Sequence, residues 1–215
     1  MRRRTIGGLT AFMTLLASAL AHGVDAQAKG PTFDCSRANS TVEKLICSDE
    51  GLAALDRQLD GVYKAALGKA RDDVPAYLRT EQRGWVKGRD ECWKAQGEGN
   101  PVYLTESWTA TGVRECVEGE YRIRISELQV LYQLVPERKP VFFACNDNPA
   151  NEVVATFFET DPPAARLERG DRTVVAWLVR SASGARYEGQ NVTFWNKGND
   201  AMVRWLGDEL TCRAR

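Results

Sequence analysis

The spacing of the apolar residues changes once along this chain, and that change limits the fold more than any other feature. From about residue 40 to residue 135, apolar side chains recur at steps of three and four, as on one face of an α-helix. After the polar, proline-flanked segment 136–140 they alternate at every second residue, which is typical of β-strands. We therefore predict an α+β protein in two domains, an all-α helical bundle at 29–135 and a β domain at 141–215, with 136–140 as the linker.

The first 28 residues have the pattern of a cleaved Sec signal peptide. Arginines at positions 2 to 4 precede an apolar run from Ile6 to Leu20, and the small-x-small triplet at 26–28 suits cleavage, with 18–21 as an earlier option. The apolar run is too short for a stable membrane span, which leaves an uncleaved anchor as the minor alternative. The first cysteine, Cys35, lies away from either cleavage site. We therefore predict a periplasmic or secreted protein that is not a lipoprotein.

Removal of residues 1–28 also removes the only histidine, His22. The precursor has 29 basic and 29 acidic residues, and the segment takes three arginines and Asp25, which leaves 26 and 28, a net charge of −2. Without histidine the mature chain has no Ser-His-Asp or Cys-His triad and no histidine-ligated metal site. A charge near zero without a basic run does not fit nucleic-acid binding. We expect no enzyme, no metal, no cofactor and no nucleic-acid partner.

Six cysteines in an exported chain predict a disulfide framework. They can pair in 15 ways, and because no C-x-x-C occurs, zinc and thioredoxin-like redox sites are disfavoured. A β domain of about 75 residues has a thin core and often needs a covalent link. A bond between Cys145 on its first strand and Cys212 on its last would supply one. The cysteines are Cys35, Cys47, Cys92, Cys116, Cys145 and Cys212.

Three long helices are expected in the first domain, arranged as a small bundle with helical hairpins. Ser48 is a suitable N-cap for the first, which covers about 52–67, and the acidic residues after it suit the positive end of the helix dipole. The second covers about 74–95 and the third about 104–134, with a Gly- and Pro-containing break between them. In the second domain, five β-strands are predicted at 141–145, 152–158, 172–179, 191–195 and 201–206. Several short strands in so few residues favour a closed antiparallel barrel.

Three spaced blocks in the helical domain resemble a known family. They read FDC-S-x-A-x-S-x-V-E-K-L-I-C-S-D at 33–49, L-x-x-L-D-x-x-L-x-x-x-Y-K-x-A-L at 52–67 and E-Q-R-x-W-x-x-x-R-D-x-C at 81–92. Together they are similar to the LprI-type domain of bacterial exported proteins, whose members are often described as lysozyme inhibitors. The resemblance implies disulfides Cys35–Cys47 and Cys92–Cys116. Each would contribute roughly 2–4 kcal/mol in the loop-entropy model.

A second signature lies in the β domain, as SG-x-x-Y at 183–187 followed by F-W-x-K-G-x-x-A at 194–201. It resembles the membrane-bound and periplasmic inhibitors of c-type lysozyme (the MliC/PliC family). The resemblance implies an antiparallel barrel of about eight strands that binds c-type lysozyme and blocks its cleft. A helical domain ahead of the barrel departs from the minimal layout of that family.

The family resemblance also assigns roles to individual residues. It implies that Ser183 and Lys197 reach the two catalytic carboxyl groups that such a glycosidase uses. A lysine pairs with an ionised carboxylate, and a serine hydroxyl can serve a carboxyl group in either protonation state. Phe194 and Trp195 are expected to pack in the core. For Tyr187 the alternative to contact with the target is a core position, and for Arg186 it is a solvated turn. The predicted lysozyme-binding set is Ser183, Gly184, Arg186, Tyr187, Lys197 and Gly198.

The sequence therefore predicts a periplasmic protein inhibitor of c-type lysozyme that forms a 1:1 complex and protects peptidoglycan. The main alternative is an envelope module that binds peptidoglycan or another glycan through the aromatic residues Tyr187, Trp177, Trp195 and Trp205, without inhibiting lysozyme. A serine hydrolase with Lys197 as base is disfavoured, since the chain has no S-x-x-K motif. The helical domain is also compatible with a separate scaffold role in the envelope.

Overall fold

The computed structural model of the 215-residue chain describes residues 30–99 and 101–215, and the predicted signal peptide lies outside them. Below, the helical half is residues 30–135 and the barrel is residues 141–215. The helices are α1 (Thr41–Ser48), α2 (Glu50–Lys69), α3 (Val74–Asp90) and α4 (Val113–Leu131), with 3-10 turns at Cys35–Arg37 and Glu91–Lys94. Among the described helices, none combines the length and the apolar character that a membrane span requires.

The strands of the barrel all lie after residue 140, as the change of spacing predicts. Two short strands interrupt the helical half, β1 (Val102–Tyr103) and β2 (Thr109–Ala110). The barrel contains β3 (Val141–Cys145), β4 (Asn148–Phe158), β5 (Ala164–Arg169), β6 (Arg172–Val179), β7 (Ala185–Gly189), β8 (Val192–Lys197), β9 (Asp200–Trp205) and β10 (Asp208–Ala214).

Side-chain caps set where the first helices begin. Ser40 accepts a hydrogen bond from the backbone N–H of Glu43, whose carboxylate accepts from the backbone of Ser40, so α1 starts with a capping box. The predicted N-cap of the first long helix, Ser48, is instead the last residue of α1, where its hydroxyl bonds to the carbonyl of Leu45. Asp49 caps α2 by accepting from the backbone of Leu52 at 3.0 Å.

The last helix begins nine residues later than predicted, at Val113 instead of about 104. The residues before it form the hairpin β1–β2, in which Val102 is the register partner of Ala110. Thr105 closes the turn of this hairpin, because its hydroxyl oxygen accepts a hydrogen bond from the backbone N–H of Trp108 at 3.0 Å. A threonine that satisfies the backbone in this way competes with helix formation.

A buried polar network crosses the core of the helical half. The Tyr121 hydroxyl donates to Asp56 at 2.8 Å and accepts from Arg89 at 2.8 Å. The other carboxylate oxygen of Asp56 accepts from the backbone and the hydroxyl of Thr32, so the segment around Thr32 is fastened to α2. Burial raises the pKa of Tyr121, which keeps its hydroxyl protonated as a donor.

The barrel is closed and antiparallel, with β10 paired to both β9 and β3. Alternate residues fill its interior, including Phe143, Leu167 and Phe194. The predicted α+β architecture and the barrel of about eight strands are therefore confirmed. All three predicted disulfides are present, Cys35–Cys47, Cys92–Cys116 and Cys145–Cys212.

The two ends of the barrel differ. Two-residue turns join β3 to β4, β5 to β6, β7 to β8 and β9 to β10 at one end. The opposite end carries the longer connections 159–163 and 180–184 and the turn 198–199, together with the entry of the chain into β3. We call this second end the loop end, and both halves of the predicted inhibitor signature reach it.

The helical half packs on the outer face of the barrel. Val130 of α4 lies in an apolar cluster with Phe158, Ala164, Val175 and Trp177 from β4, β5 and β6. Next to this cluster, the Ser126 hydroxyl lies 2.9 Å from that of Thr160. The predicted linker 136–140 also follows the barrel, since Glu137 forms a bridge with Phe158.

Candidate functional site

Ser183 and Lys197 lie on neighbouring segments of the loop end. Ser183 belongs to the 180–184 connection between β6 and β7, and Lys197 is the last residue of β8. Strands β7 and β8 are antiparallel neighbours in which Ala185 is the partner of Asn196. Gly184 and Lys197 are the next residues beyond that pair on the two segments. The fold thus brings together two segments whose key residues, Ser183 and Lys197, are 14 positions apart in the sequence.

Gly184 is required where the 180–184 connection lies against β8. Its φ is +68°, and a Cβ atom there would lie 2.4 Å from the carbonyl oxygen of Asn196 and 3.2 Å from the indole nitrogen of Trp195. Any side chain would force the connection away from β8. Gly198 also has a positive φ, +61°, but a Cβ atom there would meet nothing within 4 Å. The two glycines therefore share a backbone conformation, and only Gly184 permits a close approach.

The carbonyl of Ser183 is held by two donors. The indole N–H of Trp195 donates to it at 2.7 Å and the Ser181 hydroxyl donates at 2.8 Å. Within residues 30–99 and 101–215, the hydroxyl of Ser183 itself has no hydrogen-bond partner. Phe194 is fully buried as predicted, but Trp195 is half-buried on the outer face. There its side chain supports the connection instead of filling the barrel.

Lys197 is exposed, and its ammonium group forms no ion pair or hydrogen bond with any part of the chain that the structure describes. The connection and the adjacent turn thus present one hydroxyl and one cation with unused hydrogen-bonding capacity. A partner that offers two carboxyl groups would match both.

Tyr187 and Arg186 are placed differently from the rest of the predicted set. The Tyr187 ring is only 9% exposed and packs with Phe157 and Phe194, at centroid distances of 5.4 and 6.5 Å. Burial also raises the pKa of its hydroxyl. Arg186 lies on β7 instead of in a turn, and its guanidinium is 2.9 Å from the carboxylate of Glu188. Tyr187 therefore supports the loop end from inside the barrel, while Arg186 is engaged in an ion pair.

Sequence reasoning missed a residue next to this site, Glu188. Its side chain is fully buried, although a glutamate on a strand is ordinarily taken as solvent-facing. The groups that cover it come from the β1–β2 hairpin, more than 80 residues earlier in the chain. Burial opposes its ionisation, but hydrogen bonds from Thr105 and Ser107 and the charge of Arg186 outweigh that effect and hold its pKa below the usual value. No local pattern signals such a contact.

The four aromatic residues named for the glycan-binding alternative are poorly placed for that role. Trp177 is 9% exposed and faces α4, Trp205 is 3% exposed inside the barrel, and Tyr187 is buried as well. A sugar ring needs an open aromatic face to stack on. Of the four aromatic residues considered for that role, only Trp195 is partly accessible, which weighs against the glycan-binding alternative.

Comparison with known proteins supports both resemblances. Residues 143–211 match the family model of the membrane-bound lysozyme inhibitors of c-type lysozyme, and residues 34–128 match that of the lysozyme inhibitor LprI. The chain is also 28% identical to proteins named lipoprotein LprI from Mycobacterium bovis and Mycobacterium tuberculosis, over 98% of each sequence. Both halves thus match inhibitor families in the predicted order. These matches support lysozyme inhibition in general and point to a non-catalytic protein.

One prediction is corrected by the same comparison. The sequence predicted a periplasmic or secreted protein that is not a lipoprotein, which is wrong, because relatives aligned over 98% of this chain are named lipoproteins. The prediction depended on the distance between Cys35 and a cleavage site within residues 1–28. Those residues lie outside the described part of the chain, and Cys35 itself is bonded to Cys47. The position of the first cysteine was therefore too weak a criterion.

Proposed function

We propose that this chain, whose two halves match lysozyme-inhibitor families, blocks c-type lysozyme by inserting the loop end of its barrel into the active-site cleft. The observation that carries the proposal is the β7–β8 register, which sets the Ser183 connection beside the Lys197 turn. Both side chains have unused hydrogen-bonding capacity there. The inhibitor would thereby protect peptidoglycan outside the cytoplasm, and three disulfides fit an oxidising compartment.

The chemistry of the target explains why a hydroxyl and a cation are useful together. A retaining or inverting glycosidase holds two carboxyl groups in its cleft, one of them protonated as the general acid and the other ionised. Lys197 pairs with the ionised group, and Ser183 can donate to or accept from either form. Hydrogen bonds to charged groups contribute roughly 1.5–3 kcal/mol each. A lysine buried in the cleft without a carboxylate would instead cost free energy, so this pairing is specific for an acidic active site.

The rigidity of the loop end adds to the proposed affinity. The 180–184 connection is held to β8 by the Trp195 hydrogen bond and by the close approach at Gly184, and Tyr187 fills the space beneath. Ordering a mobile side chain on binding costs roughly 0.5–1.5 kcal/mol. A connection that is already fixed in the free protein avoids part of that cost.

A turbidity assay of c-type lysozyme on bacterial cell walls tests the proposal. We expect the wild type to inhibit with 1:1 stoichiometry. Lys197→Ala should raise the inhibition constant about 10- to 100-fold, because a charge-assisted bond is lost. Ser183→Ala should raise it less, by up to about tenfold, because a neutral bond is worth less. Lys87→Ala is the matched control, since Lys87 is also an exposed lysine but lies on α3.

Two results would contradict the mechanism. One is a folded wild type that does not inhibit, and the other is a Ser183→Ala, Lys197→Ala double variant with undiminished potency. A wild type that sediments with insoluble peptidoglycan and leaves lysozyme active would favour the glycan-binding alternative.

A further inference from the structure

We infer that the helical half positions the Ser183 connection through Glu188, which makes Glu188 a positioning residue for inhibition. The inference rests on the proposed function of the loop end. It gives the helical half a task in inhibition that requires no contact with lysozyme.

The turn of the β1–β2 hairpin donates hydrogen bonds to Glu188, and we call this group of contacts the clasp. One of its carboxylate oxygens accepts three hydrogen bonds, from the Thr105 hydroxyl at 2.8 Å and from the backbone and the hydroxyl of Ser107 at 2.8 and 2.9 Å. The other oxygen is 2.9 Å from the guanidinium of Arg186. Because Glu188 is fully buried, its charged form is stabilised by these donors and by the charge of Arg186 in place of water.

Such a clasp determines geometry more strictly than an apolar contact does. Three donors converge on a single oxygen atom, and each has a narrow range of useful distance and angle. A shift of β7 by one residue would turn Glu188 to the opposite face of the sheet and leave these donors unpaired. Apolar residues of similar size are often as good as a buried ion for stability alone. What the ion adds is one defined position of β7 against the helical half.

Strand β7 links the position of Glu188 to that of the 180–184 connection. It is five residues long and begins directly after the 180–184 connection, so Glu188 and Ser183 lie on the same short segment. On the other side of the connection, β6 is held by α4, since Val175 and Trp177 pack with Val130. Both strands that lead into the connection are therefore anchored to the helical half.

The same hairpin turn reaches the strands on either side of the Lys197 turn. Glu106 forms an ion pair with Arg204 on β9 and lies 3.4 Å from the Thr193 hydroxyl on β8. The turn 105–107 thus touches β7, β8 and β9. These three strands carry one end of the Ser183 connection and both ends of the Lys197 turn.

Substitution of Glu188 in the full chain tests the inference. Glu188→Gln keeps the size of the side chain but removes its charge, and its NH2 group must face either the hairpin donors or the Arg186 guanidinium, which are donors as well. We expect the inhibition constant to rise at least about tenfold, by analogy with the loss of a charge-assisted bond. Hydrogen exchange, followed by mass spectrometry, should accelerate in peptides that cover 104–108 and 180–185. Lys197→Ala should lose potency without this change in exchange.

Ser126→Ala is the control for a general loss of stability. Ser126 is fully buried and contacts the 159–163 connection, which carries neither Ser183 nor Lys197. It should lower stability and leave both potency and the exchange of 180–185 unchanged. A double-mutant cycle adds a second criterion: Ser107→Ala should cost little further potency in the Glu188→Gln background, because both act through one clasp.

The results separate this inference from the proposed function. If the wild type inhibits, and Glu188→Gln inhibits equally well with unchanged exchange, the inference is overturned while the proposed function stands. Equal losses of potency in Glu188→Gln and Ser126→Ala also overturn it, because they indicate a stability effect. If the wild type does not inhibit at all, the proposed function fails, and the exchange of 180–185 still decides whether Glu188 holds the connection.

Discussion

At the residue scale, the loop end depends on the absence of a side chain at Gly184. The residue has the same left-handed backbone as Gly198, yet the two differ in their surroundings. A Cβ atom at Gly184 would collide with the backbone carbonyl of Asn196, which β-sheet pairing holds in place, whereas one at Gly198 would enter open space. Backbone conformation and close approach can therefore be tested separately.

We predict that Gly198→Ala lowers the free energy of unfolding by about 1 kcal/mol, the usual cost of a left-handed backbone for an L-residue. Gly184→Ala should cost about 2–3 kcal/mol, because the same strain is joined by a collision that the β7–β8 ladder cannot easily relieve. Urea unfolding of both variants gives the comparison. Equal losses would show that the 180–184 connection moves freely away from β8.

The residues of the site also differ in how well the local sequence predicts their positions. Ser183 and Lys197 belong to a motif with fixed spacing, so their shared location at the loop end was predictable. The position of Trp195 was predicted wrongly, because its aromatic character alone placed it in the core beside Phe194. Its outer position follows from strict alternation, because Phe194 already takes the inward position. Glu188 gave no signal, because its partners are distant in sequence.

At the element scale, the closure of the barrel combines a β-ladder with a covalent bond. Strand β10 pairs with β3, and Cys145 and Cys212 are register partners in that ladder. Their disulfide closes a sequence separation of 67 residues, against 12 for Cys35–Cys47. A longer closed loop removes more entropy from the unfolded chain.

Replacing both cysteines of a disulfide by alanine should therefore lower the free energy of unfolding by an amount that differs between the two disulfides. We predict about 4 kcal/mol for Cys145–Cys212 and about 3 kcal/mol for Cys35–Cys47, from the loop-length dependence. The unfolding free energies of the two variants and the wild type, measured by guanidinium titration, test the order. A larger loss for the shorter loop would mean that strain or contacts in the native state dominate over chain entropy.

Elements with strong apolar periodicity were predictable, and those without it were not. Helices α2 and α3 and strands β3, β4, β6, β8 and β9 follow clear patterns of apolar residues. Strands β5, β7 and β10 were not recognised individually, because they contain alanine, glutamate, aspartate or glycine, which are depleted in strands, and few large apolar residues. These strands form because neighbours on both sides supply hydrogen bonds in the closed barrel. The contacts that stabilise these strands come from other parts of the fold, so no local sequence pattern reveals them.

At the scale of the whole molecule, two inhibitor-like halves share one packed interface. That interface has an apolar part, around Val130, and a charged part, in which Glu188 accepts hydrogen bonds from Thr105 and Ser107 and Glu106 pairs with Arg204. The apolar part is insensitive to pH, but the charged part depends on its carboxylates, of which Glu188 is the fully buried one. Hydrogen bonds and Arg186 lower the pKa of this carboxyl group despite its burial. The contact between the halves should therefore weaken in acid.

The direction of this pH effect on stability follows from the linkage between protonation and folding. A carboxyl group whose pKa is lower in the folded protein stabilises the fold above its unfolded pKa, about 4.3 for glutamate, and loses that effect as the pH falls through the folded value. Other carboxyl groups, such as Asp49 beside Arg114 and Glu118 beside Arg122, have lowered pKa values for similar reasons. They add to the acid sensitivity of the whole chain, so the wild type alone cannot report on Glu188.

The difference between wild type and Glu188→Gln isolates this one group, because the other carboxyl groups are common to both proteins. We predict that the wild type is the more stable at pH 7 and that the difference in unfolding free energy shrinks steadily below about pH 4.3, since protonated glutamate and glutamine are both neutral. Urea titrations at pH 7, 5, 4 and 3 measure it. A difference that stays constant across this range would show that Glu188 contributes through its shape and not through its charge.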